Sequence, residues 1–143
     1  MNRFAFATYC DDVRYEVNGK VSLIGVYDGN MYLQSFPAHL PQLCIVVTAA
    51  TPSDQPFKDF AIKATYNGTT LGEMAVTAEQ LEEQVNAAPT APIQTINAQM
   101  VFAPIALPEP GKIAVTFSSE GEEFKCNALM VHLPPEGMNL QPA

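Results

Sequence analysis

The sequence predicts an all-β fold, namely a single-domain antiparallel β-sandwich, Ig-like or C2-like, of eight or nine strands with one short crossover helix around residues 78–88. Three observations predict it. Turn signals recur at short intervals, the segments between them are rich in β-branched and aromatic residues, and several segments alternate between apolar and polar side chains. This combination is typical of sandwiches and barrels.

The N-terminal segments contain a strong hairpin signal. Residues 3–9 alternate as a strand does, and residues 13–17 and 20–27 flank Asn18-Gly19, a dipeptide that favours tight hairpin turns. Gly25, in the second arm, indicates a bulge or a close backbone approach.

The other strands are predicted from the same kinds of pattern. Residues 43–48 form a continuous apolar run, which is typical of a central strand buried on both faces. Asn67-Gly68 predicts a second hairpin turn. The last strand changes its inward face near Asn127-Ala128, which predicts a bulge there. The remaining strands are predicted at residues 31–33, 60–66, 70–76, 93–102, 112–117 and 122–133.

One segment has helical spacing. Thr77 and Gln80 form a capping box, in which each side chain bonds the backbone N–H of the other residue. Apolar residues follow at helical intervals, and Pro89 ends the pattern. We expect this helix to cross between the two sheets, and we expect residues 1–133 to form the domain, with residues 134–143 as a loose C-terminal tail.

Composition excludes several classes of function. The chain has 143 residues, 48% hydrophobic and 15% charged, which is too apolar for intrinsic disorder. Its net charge of −8 argues against nucleic-acid binding, because phosphate neutralisation needs clustered Lys and Arg. Polar residues and prolines interrupt the longest uncharged stretch, so we expect no membrane-spanning helix. The expected partners are another protein or a second copy of the chain.

The cysteines and the N-terminus predict the compartment. Cys10, Cys44 and Cys126 are odd in number and lack metal-ligand spacing, so we expect free thiols that behave as small buried hydrophobes in a reducing compartment. No secretory signal pattern begins the sequence. We therefore expect a cytoplasmic protein of a bacterial cell, or a virion component, and not a secreted one.

Little in the sequence predicts catalysis. His39 and His132 lie in different segments, and phosphate-binding, nucleophile-elbow and zinc motifs are missing. We therefore predict no catalytic residue, no cofactor and no metal. One enzymatic alternative remains, a hydrolase that pairs Cys10 or Cys126 with a histidine; it requires an exposed thiol of low pKa.

The densest polar cluster spans residues 11–16. Asp11 and Asp12, joined by Asp28 from a nearby turn, are weak candidates for a divalent-cation or small-ligand site. The alternative is a strand junction, where Asp side chains cap backbone amides and pair with Arg14. If the cluster is functional, these four residues are also the candidates for contact with a protein partner.

The N-terminal third resembles a known family. Tyr9-Cys10-Asp11-Asp12-Val13-Arg14 and the run from Gly19 to Tyr27 are similar to the aromatic-C-D-D-hydrophobic-R and G-K-x-S-L-x-G-hydrophobic-Y elements of a family of small uncharacterised bacterial and bacteriophage proteins. The Phe36-Pro37 and Leu40-Pro41 pairs and the run at 44–47 are similar as well. The resemblance implies a small cytoplasmic or phage-encoded β-sandwich and no known activity.

These observations together favour recognition over catalysis. We expect a non-enzymatic protein-interaction module, phage- or prophage-encoded, that serves as a virion accessory or decoration protein or binds and blocks a host protein, for example in host defence. The alternative is a small-ligand or cation-binding sandwich that uses its acidic loops.

Overall fold

A computed structural model describes residues 3–84 and 92–138. The described chain has thirteen strands: β1 (Phe4–Cys10), β2 (Asp12–Tyr15), β3 (Val21–Ile24), β4 (Asn30–Tyr32), β5 (Ala38–Leu40), β6 (Leu43–Pro52), β7 (Phe60–Tyr66), β8 (Thr69–Val76), β9 (Ile93–Phe102), β10 (Ile105–Leu107), β11 (Gly111–Ser119), β12 (Glu122–Lys125) and β13 (Leu129–His132). One α-helix, α1 (Ala78–Gln84), precedes β9, and a short 3-10 turn (Val17–Gly19) joins β2 to β3.

The predicted all-β class is confirmed, and the strand count is higher than eight or nine. The additional strands are short. β5 and β10 have three residues each, pair with each other, and lie in segments where no strand was predicted. The predicted last strand is divided into β12 and β13 at residues 126–128. Three or four residues are too few to give a recognisable alternation, so the sequence pattern underestimates the count.

Two sheets make up the sandwich. The smaller has the order β1-β6-β9, with β6 in the centre as its apolar run predicted. The larger has the order β4-β13-β11-β7-β8, and β12 extends it beside the second half of β11. All pairings are antiparallel except that of β4 with β13, which is parallel. The β2–β3 hairpin forms a separate two-stranded ladder.

The core lies between these two sheets. The inward faces predicted for β7 and β11 are confirmed, because the alternate residues Phe60, Ile62, Ala64 and Tyr66 in β7, and Ile113, Val115 and Phe117 in β11, are buried. They pack in one cluster with buried residues of β1, β6 and β9. Burial of this apolar surface is the main favourable contribution to folding.

The capping box at the start of α1 is confirmed. The N–H of Gln80 donates to Thr77 Oγ1 at 3.3 Å, and the N–H of Thr77 donates to Gln80 Oε1 at 3.0 Å. The predicted helix is observed over Ala78–Gln84, and its remaining residues lie outside the described part of the chain. Residues 139–143 of the predicted tail also lie outside it.

Aromatic rings fill one end of the core. Phe117 is almost fully buried, stacks on Phe60 at 5.4 Å and meets the edge of Phe57 at 5.2 Å, with Phe124 at 6.1 Å. The Arg3 guanidinium lies 4.8 Å above the Phe57 ring, a favourable cation–π distance. This cluster ties the N-terminus and the loop before β7 to the larger sheet.

Asn127 joins the two sheets at one side of the sandwich. Its Oδ1 accepts a hydrogen bond from the Ala7 N–H at 2.8 Å, and its Nδ2 donates to the Ala7 carbonyl at 2.9 Å. The Tyr9 hydroxyl donates to the Asn127 carbonyl at 2.7 Å. The irregular backbone predicted at Asn127 therefore directs its side chain toward β1. There the amide makes the hydrogen bonds that a neighbouring strand would otherwise make along the free edge of β1.

Candidate interaction surface

The smaller sheet is unusual in its charge. β1, β6 and β9 contain no Asp, Glu, Lys or Arg, although the chain carries 15 acidic and 7 basic residues. The inner face of this sheet is the core, so the missing charge has consequences only on the outer face. That face consists of apolar, hydroxyl and amide side chains, namely Phe4, Phe6, Thr8, Val46, Thr48, Ile93, Thr95, Asn97, Gln99 and Val101.

The β2–β3 hairpin lies across part of this outer face. Asp11 and Asp12 hold its base, while the Tyr15 hydroxyl donates to Gln99 Oε1 farther along the hairpin. A groove of about 340 Å³ separates the hairpin from the sheet. Apolar side chains line its hairpin side (Val13, Tyr15, Val21 and Leu23), and sheet residues line the other side (Thr8, Val46, Thr48, Asn97, Ala98 and Gln99).

Large apolar side chains are exposed on both parts of this face. On the hairpin, Tyr15 is 76% exposed, although its ring belongs to the groove lining. On the sheet, Phe4 and Phe6 are 48% and 43% exposed, and their rings stack at a centroid distance of 6.4 Å. Exposed apolar groups that are contiguous and free of charge mark interaction sites in soluble proteins. We call the outer face of β1-β6-β9, together with the groove side of the hairpin (Val13, Tyr15, Val21 and Leu23), the uncharged face.

The predicted site residues Asp11 and Asp12 lie at the base of the hairpin. Asp11 Oδ1 accepts a hydrogen bond from the Tyr27 hydroxyl at 3.0 Å, and the Asp11 N–H donates to the carbonyls of Ile24 and Gly25. Asp12 Oδ1 accepts from its neighbour's N–H at 2.9 Å and from the Gln42 side-chain amide at 3.0 Å. Both carboxylates therefore fix the hairpin to the sandwich.

Gly25 makes the close approach that its position predicted. Its φ is +69°, a left-handed conformation that favours glycine. A Cβ at this position would lie 2.2 Å from Asp11 Oδ2. The missing side chain is what allows Asp11 to reach across the hairpin base.

The other two candidates lie apart from this junction. Arg14 is on the hairpin and pairs with Glu16 at 3.6 Å, and both side chains are partly exposed. Asp28 is exposed in the turn before β4. Within residues 3–84 and 92–138, no group of three or more His, Cys, Asp or Glu side chains is placed to hold a metal ion.

The thiols and histidines have separate surroundings. Cys10 and Cys44 are directly paired across β1 and β6, and burial raises the pKa of both. Burial raises the pKa of Cys126 to about 11. His132 lies 3.1 Å from Asn30 Oδ1. The pKa values of these thiols are raised, whereas a catalytic cysteine requires a low pKa.

We predict that the folded protein resists alkylation at pH 8. A pKa of about 11 in place of the usual 9.0 lowers the thiolate fraction of Cys126 by roughly 100-fold.

The same shift in the pKa of Cys126 makes the stability of the fold depend on pH. The folded state keeps a proton that the unfolded state loses, so the contribution is complete below pH 9 and is lost as pH rises toward 11.

Iodoacetamide labelling followed by mass spectrometry, with and without urea, measures the reactivity, and melting temperatures from pH 7 to pH 11 measure the stability. Cys126→Ala is the control, and its melting temperature should fall less between pH 9 and pH 11. Rapid labelling of folded protein at pH 8 would contradict the prediction.

The uncharged face was not predicted from the sequence. A usable signal was present, because three separate strands of 7, 10 and 10 residues contain no charge. The signal becomes meaningful only when these strands are known to be neighbours, and their pairing spans most of the chain.

Comparison with known proteins gives a family and no activity. The model of a family of unknown function, DUF6941, matches residues 5–132. No curated protein and no solved structure matches the chain. In the part of the chain that the structure describes, no helix is long and apolar enough to cross a bilayer.

Proposed function

The chain belongs to the DUF6941 family of unknown function, and from that premise we propose that it is a non-enzymatic protein-interaction module whose binding surface is the uncharged face. Its partner is a protein or a second copy of the chain. We further propose a phage or prophage origin and a role as a virion accessory protein or as a cytoplasmic binder of a host protein.

The absence of charge on the smaller sheet is the observation that supports this proposal. Interface cores are depleted in charged residues and enriched in aromatic residues, while a polar surface surrounds them. The uncharged face has this composition, with Phe4, Phe6 and Tyr15 exposed on it. In contrast, the outward positions of the larger sheet include Lys63 and Glu73, which form an ion pair at 3.7 Å.

The remaining charge would assist selectivity. A net charge of −8 that lies outside the smaller sheet repels nucleic acids and acidic proteins. Association would then depend on shape and apolar contact at the uncharged face, while rim charges set the orientation of the partner.

We predict that Phe6→Ser abolishes partner binding without unfolding the protein. Phe6 is 43% exposed, so its loss removes apolar contact area from the uncharged face and little from the core. Met130→Ser is the matched control, because Met130 is 45% exposed on β13, in the other sheet.

The measurement is affinity capture from bacterial lysate together with chemical cross-linking of the purified protein, for all three forms. The proposal requires that the wild type and Met130→Ser retain the same protein, or the same self-association, and that Phe6→Ser loses it. Identical binding by Phe6→Ser, or no binding by any form, would overturn the proposal.

A further inference from the structure

We infer that the uncharged face is occupied by a second copy of this chain in a two-fold symmetric dimer, in which Phe4 and Phe6 of each protomer enter the groove beneath the hairpin of its partner. The inference rests on the proposed function and commits it to one partner. Its support comes from the distribution of charge, from the projection and recess on the face, and from the charged residues at the border of the face.

The charge distribution limits where two copies of the chain can meet. Two chains that each carry −8 repel one another at most approaches. The hairpin is neutral, because Asp12 and Glu16 balance Arg14 and Lys20, and the sheet beneath it carries no charge. The uncharged face is therefore where two copies meet at least electrostatic cost.

The shape of the uncharged face suits a two-fold symmetric contact. The face carries a projection and a recess, since Phe4 and Phe6 stand outward from β1 and the groove of about 340 Å³ is lined by Thr8 and Thr48, the neighbours of Phe6 along β1 and across on β6. A two-fold axis pairs each projection with the recess of the other copy, as isologous interfaces require. Aromatic side chains in apolar pockets are the usual anchors of such contacts.

The rim charges are complementary under the same symmetry. Arg3, next to Phe4, pairs with Glu120 at 3.3 Å and approaches Glu122 at 3.9 Å, which leaves an excess of negative charge at this end of β1. Lys20 is exposed near the turn of the hairpin. If Phe4 enters the groove of the partner, Lys20 of each copy comes near the acidic end of the other.

The apolar side of the hairpin is left largely exposed in the single chain. A two-stranded hairpin is marginally stable in water and requires an apolar face that packs on something. Here Tyr15 and Val21, which face the sheet side, are 76% and 51% exposed. A second copy that fills the groove would bury both residues and complete the packing of the hairpin.

Sedimentation velocity over a range of protein concentrations tests the inference. We expect wild type and Met130→Ser to form a dimer, and Phe6→Ser to raise the dimer dissociation constant by about 30-fold or more, as for a buried aromatic anchor. Lys20→Glu, at an exposed position, should weaken the dimer by about 10-fold, and Lys20→Glu combined with Glu122→Lys should restore it. Circular dichroism confirms that each variant is folded.

The outcomes separate the two proposals. A wild-type monomer at all concentrations would overturn the dimer, and so would a dimer that none of these substitutions weakens. A monomer that still captures a different protein through Phe6 would leave the proposed function intact. A monomer with no Phe6-dependent partner would overturn both.

Discussion

Phe117→Ala is expected to lower the free energy of unfolding by about 3–5 kcal/mol, the range for truncation of a buried aromatic residue. Phe117 is almost fully buried and contacts three other phenylalanine rings, so the surrounding side chains cannot collapse into the space that its ring leaves. This loss is a large part of the total stability of a domain of this size.

Urea unfolding followed by circular dichroism measures the effect. Phe124→Ala is the matched control within the same cluster, because Phe124 is only half-buried and should lose clearly less. Equal losses for the two variants, or a loss below about 1 kcal/mol for Phe117→Ala, would contradict the role given to this ring.

Asn127→Ala is expected to lower the free energy of unfolding by about 1–2 kcal/mol. The substitution removes two hydrogen bonds and leaves the N–H and the carbonyl of Ala7 without the Asn127 amide, and an unsatisfied buried polar group costs about 1–3 kcal/mol. Ala7 is buried but Asn127 itself is exposed, so water replaces part of the lost hydrogen bonding and the loss stays toward the lower end of that range.

Asn127→Asp distinguishes the two bonds. A carboxylate accepts from the Ala7 N–H and cannot donate to the Ala7 carbonyl, whose oxygen its second oxygen repels, so this variant should keep the Ala7 amide protected while restoring little stability relative to Asn127→Ala. Hydrogen exchange at the Ala7 amide is the second readout. An amide that remains equally protected in Asn127→Ala would show that the bridge does not hold β1.

Local signals predicted many elements correctly because their causes are local. The capping box at Thr77 and Gln80 needs only neighbouring residues to form. The inward faces of β7 and β11 follow from simple alternation in which one set of residues is clearly apolar. The irregularity at Asn127 was predicted because the apolar, inward-facing residues of the last strand change from even to odd positions there.

Long-range features could not be predicted in the same way. In β1, the larger apolar residues Phe4 and Phe6 face outward, while Ala7 is buried and Ala5 packs against the core. Alternation alone would favour the opposite orientation. The Asn127 bridge to Ala7 joins residues 120 positions apart, and no local pattern encodes that contact.

The hydrogen bonds along the free edge of β1 remove one site at which another strand could add to the molecule. Asn127 occupies the backbone groups of Ala7, and the Tyr27 N–H donates to the Tyr9 carbonyl at 2.8 Å, so this border of the smaller sheet cannot template another strand. An added strand would have to pair elsewhere, for example at β9 or β8, which are outer strands of the two sheets.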